Sequence, residues 1–269
     1  MQPRTQPECF WTMPKSLESK LIEDYHLLSY DVLDSTNEEA KRLAGGGASH
    51  GAVIWAKRQQ AGRGRMGREW VSAEGNLFVS ILLSPECDLA TCSQLSFVAA
   101  VAAAETLEGI VPDQQEIACK WPNDILLNGR KLGGILLESF TTQEPSGREC
   151  QWVVVGVGIN IDSFPEHVMF PAACLRDAGV EIISAKIVLS RFIFNFISHY
   201  DAWVGAGFKP VQKAWQKRAY RLGHEVEVII GEKKITGVFD GIDAAGRLLV
   251  RAESGAITGI SAGDVFFKE

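Results

Sequence analysis

The sequence predicts an α+β fold, in which a mixed, largely antiparallel sheet with flanking helices is followed by a small β-barrel. Between residues 27 and 161, apolar runs bounded by turn residues alternate with helical patterns. From Gly223 onward the chain changes to short strands separated by turns, which is typical of a small barrel. We therefore divide the chain into a polar N-terminal tail at 1–24, a main domain at 25–219 and a C-terminal β domain at 220–269.

The main domain is expected to contain strands and helices in alternation. The strands are apolar runs at 27–33, 52–57, 76–83, 117–121, 124–128, 130–139 and 151–161. The helices lie at about 35–43, at 92–109, after Ser184 and at 209–219. The helix after Ser184 carries one apolar stripe, formed by Leu189, Ile193, Phe196, Tyr200 and Trp203. The C-terminal strands are the runs EVEVII, KITGVF, RLLVRA, AITGI and DVFF.

Local signals fix where some of these elements begin or turn. Ser35 and Thr36 stand three residues before Glu38 and Glu39, which is capping-box spacing and predicts the first helix start. The pair Asn128-Gly129 predicts a two-residue hairpin turn, because both turn positions need positive φ. A polar loop is expected at 141–149, between the last two strands of the main domain.

Composition limits the classes of function. The 46% of apolar residues suffice for a real core, and the chain has no run of 18 uncharged apolar residues, so we expect no membrane partner. The N-terminus lacks a signal-peptide pattern and predicts a partly disordered tail. Six scattered cysteines without a CxxC pair predict reduced thiols, a cytoplasmic location and no structural zinc. A net charge of −6 argues against nucleic-acid binding by the whole surface.

Positive charge is concentrated in the arginine–glycine loop, residues 59–70, with the sequence QQAGRGRMGREW. Residues 57–70 hold five basic side chains against the single acid Glu69. Glycines allow close backbone approach, arginines supply forked donors for phosphate or carboxylate, and Trp70 can stack on a flat ring. These features favour a local anionic ligand. A solvated loop and a single-stranded nucleic acid are the alternatives, although no second basic patch extends the track.

Two further segments could belong to a ligand site. In KWPNDILLNGRKLGGIL (120–136), Lys131 could be a solvated edge charge or could hold an anion beside the Gly-Gly pair. In VVVGVGIN (153–160), alternation places Gly156, Gly158 and Asn160 on one face of a strand. That face could form a flat slot for a ligand or serve close packing, and the residues alone leave both alternatives open.

Three familiar catalytic motifs do not apply. The run GISAG at 259–263 matches a nucleophile elbow, but the six residues after it contain no histidine. The sequence contains neither a GxxxxGK[ST] phosphate loop nor an HExxH motif. Neither an enzyme nucleophile nor a zinc-peptidase centre is therefore expected.

Four segments in this order resemble the biotin–protein ligases: DSTNEEA (34–40), the arginine–glycine loop, 120–136 and 153–160. The resemblance covers roughly residues 27–267 and implies a class II synthetase-like catalytic domain with an SH3-like C-terminal barrel. It implies that ATP and biotin are substrates and that biotinyl-5'-AMP is formed. Biotin would then pass to a lysine of the biotin carboxyl carrier protein of acetyl-CoA carboxylase or of a related carboxylase. Mg²⁺ would accompany ATP without a dedicated protein site.

The resemblance also implies roles for individual residues. Biotin would contact Ser35, Thr36, Asn37, Gln59, Arg63, Gly64, Arg65, Lys131, Gly133, Gly156 and Gly158. The nucleotide would contact Arg65, Arg68, Trp70, Asn123, Lys131 and Asn160. Lys131, Arg63 and Arg68 would act in catalysis by cancelling the repulsion between two anions, and Asp124 would guide the acceptor lysine. A mobile loop over the acyl-adenylate would keep water out.

One departure and two rival functions accompany this interpretation. Many bacterial members carry an N-terminal helix-turn-helix, whereas fewer than about 27 residues precede the first strand here, so we expect no DNA partner and no repressor function. The resemblance also allows a homodimer. A lipoate or octanoate ligase or transferase is the nearest rival, although the polar residues at 35–37 and Gln59 suit a ureido ring better than an aliphatic tail. The other rival is a single-strand nucleic-acid-binding module, which would bind with steep salt dependence.

Overall fold

The structure is a computed structural model that describes residues 24–143, 149–165, 170–180 and 183–267. The predicted tail therefore lies outside the described residues, apart from Asp24, and so does most of the polar loop expected at 141–149.

Twelve strands and five helices make up the described chain. The main-domain strands are β1 (His26–Leu33), β2 (Ala52–Gln59), β3 (Leu77–Leu83), β4 (Ile117–Lys120), β5 (Asp124–Leu127), β6 (Arg130–Gln143) and β7 (Glu149–Ile159). The helices are α1 (Thr36–Gly45), α2 (Leu89–Cys92), α3 (Leu95–Glu108), α4 (Ala185–Ala206) and α5 (Phe208–Lys217). The C-terminal strands are β8 (Glu225–Ile230), β9 (Lys233–Ile242), β10 (Leu248–Arg251), β11 (Ile257–Ile260) and β12 (Asp264–Phe267).

The strands form two sheets, and the predicted α+β fold is confirmed. The seven-stranded sheet has the order β1-β2-β3-β7-β6-β5-β4, and its only parallel pair among the described strands is β1 with β2. The five-stranded sheet has the order β11-β10-β9-β8-β12 and is antiparallel, consistent with a small SH3-like domain. The predicted turn between β5 and β6 is also confirmed, since Asn128 and Gly129 have φ values of 48° and 76°.

Helix α1 begins where the sequence predicted, but for a different reason. Ser35 is the N-cap residue, yet its side chain makes no capping hydrogen bond. The carboxylate of Glu38 pairs instead with Lys41 at 2.9 Å. The backbone N–H of Thr36 donates to Oε1 of Gln59, 2.8 Å away on β2. A side chain from the neighbouring strand therefore satisfies this helix end, because Ser35 and Thr36 are buried against the sheet.

The helix predicted at 92–109 is α3, which begins at Leu95, and the separate short helix α2 precedes it. The Asp88 side chain caps α2 by accepting from Thr91 N at 2.7 Å, and α3 starts afresh at Leu95. By length and composition the whole stretch Leu89–Glu108 would suffice to cross a membrane, with a mean hydropathy of 1.2. Most of it is instead buried inside the protein, where α3 packs against the sheet and α4. Its apolar character is that of a core helix.

One continuous core runs from the main sheet into the C-terminal sheet. The apolar stripe predicted on α4 is buried in it, as expected from its helical spacing. Trp215 on α5 is at the junction, with ring centroids 5.4 Å from Phe97 on α3 and 6.5 Å from Phe239 on β9. The division between residues 219 and 220 stays a prediction.

We expect Trp215→Ala to destabilise the fold by about 3–5 kcal/mol, because a fully buried aromatic side chain at this junction leaves a cavity. Urea unfolding followed by circular dichroism measures the free energy of unfolding. Val204→Ala on the same helical layer is the control, since Val204 is 63% exposed and its loss should change stability by less than about 0.5 kcal/mol. Equal stability of the two variants would show that Trp215 does not join the sheets.

Candidate active site

A cavity of about 410 Å³ opens on one face of the seven-stranded sheet. The start of α1, the arginine–glycine loop, the β4–β5 turn, strands β6 and β7, and the first residues of β12 all contribute to its wall. Of the residues predicted for the site, all except Gly133 line this cavity: Ser35, Thr36, Asn37, Gln59, Arg63, Gly64, Arg65, Arg68, Trp70, Asn123, Asp124, Lys131, Gly156, Gly158 and Asn160. Segments far apart in sequence thus converge on one site.

The prediction that Gly133 lines the slot is wrong, and Gly134 takes its place. In the β6–β7 pairing, Gly134 lies opposite Gly158, and Gly133 lies opposite Ile159. Directly opposed residues in an antiparallel pair project from the same face, so Gly134 shares the cavity face with Gly158. Gly133 faces the other side, where Ile159 is buried in the core. The Gly-Gly pair was recognised in the sequence, but only the strand register selects between its two members.

The floor of the cavity is a glycine surface covered by Trp70. A Cβ atom at position 158 would lie 2.6 Å from Nε1 of Trp70, and one at position 134 would lie 3.3 Å from its Cζ3. The indole can rest against the sheet only because these positions have no side chain. Trp70 Nε1 is buried and has no hydrogen-bond partner among the described residues. An unsatisfied buried donor costs about 1–3 kcal/mol, so an acceptor atom of a ligand would be favoured there.

One end of the cavity carries a hydrogen-bonded polar network. Oε1 of Gln59 accepts from the backbone N–H and the hydroxyl of Thr36, at 2.8 and 3.0 Å. Ser80 Oγ lies 2.7 Å from Thr36 Oγ1 and 2.6 Å from Asn37 Oδ1. The sequence prediction missed Ser80, whose only signal was a hydroxyl within the otherwise apolar strand β3. The network can recognise a compact polar group that offers both donors and acceptors.

The other part of the cavity is rich in cations. Lys131 Nζ lies 2.7 Å from Asp124 Oδ1, and Arg65 donates to Asn123 Oδ1 at 3.1 Å. Lys120 also lines the cavity, with its Nζ 4.5 Å from the centre of the Phe170 ring. Burial lowers the pKa of both Lys120 and Arg65, because it penalises their charged forms. Anionic groups of a ligand would relieve that penalty.

Lys120, Phe170 and Asp264 are further cavity residues to which the sequence analysis gave no role. Lys120 belongs to the KWPND run, so its position there was the available signal. Asp264 comes from the C-terminal sheet, and nothing in its local sequence connects it with the main domain. Its carboxylate lies 2.7 Å from Nη2 of Arg68, which links β12 to the arginine–glycine loop.

The arginine–glycine loop folds over the cavity as a small hairpin. Arg63 and Glu69 form an antiparallel bridge, and Gly64 N donates to Arg68 O at 2.7 Å. The turn is closed by Met66 and Gly67, with φ values of 57° and 72°. The three predicted arginines are each held from a different direction, Arg63 by Glu38 and Glu138, Arg65 by Asn123 and Arg68 by Asp264. That the loop is mobile without ligand stays a prediction.

The charged side chains of the cavity wall are mainly cations and suit anion binding. The described residues contain no group of three or more His, Cys, Asp or Glu side chains that could hold a metal ion. The two aspartates in the cavity wall, Asp124 and Asp264, are each paired with a cation. Within the described part of the chain, no histidine or cysteine lines the cavity. The charged side chains of the cavity wall therefore favour the anionic groups of a ligand.

Comparisons with known proteins agree with this geometry. Residues 29–160 match the biotin/lipoate A/B protein ligase family, and residues 222–268 match the biotin protein ligase C-terminal domain. The biotin–[acetyl-CoA-carboxylase] ligase of Paracoccus denitrificans is 38% identical over 239 residues, which are 87% of this chain and 97% of that protein. The bifunctional ligase/repressor BirA of Bacillus subtilis is 35% identical over 235 residues, which are 86% of this chain and 70% of that protein.

A solved structure shows the same architecture. The biotin protein ligase from Aquifex aeolicus in complex with biotin and ATP superposes with a TM-score of 0.75 and is 30% identical in sequence. The similarity covers 90% of this chain and 99% of that one. The fold of this chain therefore matches nearly the whole of that ligase.

We expect Gly158→Ala to displace Trp70 and open the arginine–glycine loop, because the added Cβ overlaps the indole. Overpacking costs about 1–3 kcal/mol, so trypsin should cut at Arg63, Arg65 or Arg68 about tenfold faster than in the parent protein. Gly205→Ala on α4 is the matched control, since a Cβ there meets nothing within 4 Å. Unchanged cleavage in Gly158→Ala would mean that the glycine floor does not hold the loop.

Proposed function

The chain belongs to the biotin protein ligase family, and from this premise we propose that it joins biotin to ATP and transfers biotin to a carrier lysine. The observation that carries the proposal is the cavity, in which a glycine floor connects a polar network to a group of cations. The polar network around Thr36, Asn37, Gln59 and Ser80 suits the ureido ring of biotin. The cations in the other part of the cavity suit the carboxylate of biotin next to the phosphates of ATP.

In the first step, a carboxylate oxygen of biotin attacks the α-phosphorus of ATP. The bond from that phosphorus to the bridging oxygen breaks, pyrophosphate leaves, and biotinyl-5'-AMP forms. Two anions must approach each other, and Lys131, Arg63 and Arg68 would reduce their repulsion. Lys131 exchanges its present partner Asp124 for the biotin carboxylate in this proposal. Trp70 and Asn160 would contact the nucleotide, together with Arg65 and Asn123.

Mg²⁺ would enter as part of the ATP substrate. We propose no dedicated protein site for it, since the described residues contain no group of three or more His, Cys, Asp or Glu side chains that could hold a metal ion. No step of the proposal depends on a protein-bound metal.

In the second step, the ε-amino group of the acceptor lysine attacks the carbonyl carbon of the mixed anhydride. The bond from carbonyl carbon to phosphate oxygen breaks, AMP leaves, and the amine loses a proton as the amide forms. Asp124 would guide this amine once Lys131 has turned to the ligand, since its carboxylate lines the cavity. The arginine–glycine loop would keep water from the anhydride before the carrier arrives. The acceptor would be a biotin carboxyl carrier protein of acetyl-CoA carboxylase or of a related carboxylase.

Further parts of the proposal concern the setting of the enzyme. Free thiols among the described cysteines, including Cys87 and Cys92 with sulfurs 3.4 Å apart, support a reducing, cytoplasmic location. A homodimer is supported by strand β1, which pairs on one side only among the described strands, so its other edge could meet a second copy. The net charge of −6 supports a ligase without repressor activity, and specific binding to biotin-operon DNA would contradict this.

We expect the protein to exchange pyrophosphate into ATP when biotin is present. Lys131→Ala should reduce this exchange by about 100-fold or more, because the substitution removes a donor that stabilises charge in the transition state. Lys234→Ala is the control, since Lys234 is 59% exposed on β9 and should leave exchange unchanged. The same assay with lipoate separates the rival ligase. Exchange with lipoate only, or with neither acid, would refute the proposal, and full exchange in Lys131→Ala would refute the role of this lysine.

We also expect biotin and ATP together to protect the arginine–glycine loop from trypsin. Ligands present at about ten times their Kd should slow cleavage about tenfold, because they stabilise the closed form by mass action. Cleavage products are identified by mass spectrometry. The control contains biotin and a non-hydrolysable analogue of a nucleotide other than ATP. Equal cleavage rates with and without biotin and ATP would show that the loop does not close over them.

A further inference from the structure

A charged cluster lies behind the polar end of the cavity, and of its four residues only Arg63 also lines the cavity. It consists of Glu38 and Lys41 on α1, Arg63 in the arginine–glycine loop and Glu138 on β6, and we call it the Glu138 cluster. Lys41 Nζ lies 2.9 Å from Glu38 and 2.7 Å from Glu138. Arg63 pairs with Glu38 and also lies 3.3 Å from Glu138. The cluster contains two carboxylates and two cations, so its charges balance.

The four side chains of the Glu138 cluster depend on one another's charges because they are partly buried. The side chain of Glu138 is 23% exposed and that of Lys41 is 27% exposed, so each charge is partly removed from water. Burial lowers the pKa of Lys41, but the hydrogen bonds to Glu138 and Glu38 raise it by more, and the net shift is upward. Each carboxylate therefore stabilises the charged form of its neighbours. Loss of Glu138 would leave Lys41 and Arg63 with Glu38 alone.

Glu138 also reaches into the polar network of the cavity. Its Oε2 accepts from Nδ2 of Asn37 at 2.7 Å. An ionised carboxylate is an acceptor only, so it requires the NH₂ side of the Asn37 amide and turns the amide oxygen towards Ser80. Asn37 is 4% exposed and packs against Gly156, so it has little freedom to adjust. The orientation of a residue in the proposed biotin pocket is therefore set by a carboxylate behind it.

We infer that Glu138 is a positioning residue that couples the biotin pocket to the arginine–glycine loop. One carboxylate oxygen orients Asn37, and the other holds Arg63 and Lys41. The carboxylate of Glu138 therefore contributes both to the order of the pocket and to the closed form of the loop. The pocket half of this inference rests on the proposed function, whereas the contact between Glu138 and Arg63 does not.

The test uses the full chain and the variant Glu138→Gln, which has the same shape but no charge and a single acceptor oxygen. It cannot serve both Asn37 and the two cations. We expect the KM for biotin in the exchange reaction to rise about tenfold, as loss of a hydrogen bond to a charged group predicts, while the KM for ATP changes less than about twofold. Without ligands, trypsin should cut the loop several times faster. A purely structural role would not separate the two KM values.

Two matched variants separate the contacts of the cluster. Lys41→Met removes the pairs to Glu38 and Glu138 but touches neither Asn37 nor Arg63, so both KM values and the cleavage rate should stay within about twofold of the parent. Glu38→Gln weakens the hold on Arg63 without reaching Asn37, so cleavage should accelerate with a smaller change in the KM for biotin. Thermal unfolding checks that the variants are folded, and Glu138→Asp replaces Glu138→Gln if the latter is not.

Parent-like KM and cleavage in the Glu138 variant would overturn the inference, and so would a Lys41→Met protein with the same defects. Absence of biotin-dependent exchange in the parent protein would refute the proposed function instead. The cleavage comparison needs no ligand and would still decide whether Glu138 holds the loop.

Discussion

The absence of side chains at three sheet positions is the constraint on which the cavity depends. Gly134, Gly156 and Gly158 lie on one face of β6 and β7. Trp70 and Asn37 lie so close above them that a Cβ at position 156 or 158 would overlap these side chains, and a Cβ at position 134 would press tightly against Trp70. This close approach lets a loop and a helix start share one small site with the sheet. The alternation of the strands places the core residues Val155, Val157 and Ile159 on the opposite face, so the same segment builds both the floor and the core.

Charge pairing holds the cations around the cavity in place. Cations that would repel one another are held by carboxylates or amides of the chain: Lys131 by Asp124, Arg68 by Asp264, and Arg63 by Glu38 and Glu138. Such pairs are partly exposed and individually weak, so an anionic ligand can replace the carboxylate partner at modest cost. The Arg68–Asp264 pair also brings the C-terminal sheet into the site, which gives that domain a physical connection to the loop.

Much of the fold and most of the site followed from local patterns. Apolar runs, the Asn128-Gly129 turn and the stripe on α4 predicted the elements within a few residues. All but one of the residues predicted for the site line the same cavity. The capping boxes gave the right start for α1 but the wrong contacts, because Gln59 from β2 takes the capping role and Glu38 turns to Lys41 and Arg63. Local spacing does not reveal a competing partner from another strand.

The sequence by itself determined the periodicities, the turns and most of the side chains that meet in the cavity, because these were read from short segments along the chain. Only the tertiary structure decided which member of the pair Gly133-Gly134 faces the cavity, because strand register is a property of two strands. It also brought Ser80, Asp264 and Glu138 to the site and its surroundings, although the sequence analysis gave none of these three residues a role. Contacts of this kind depend on long-range packing, so the spacing of residues within one segment cannot predict them.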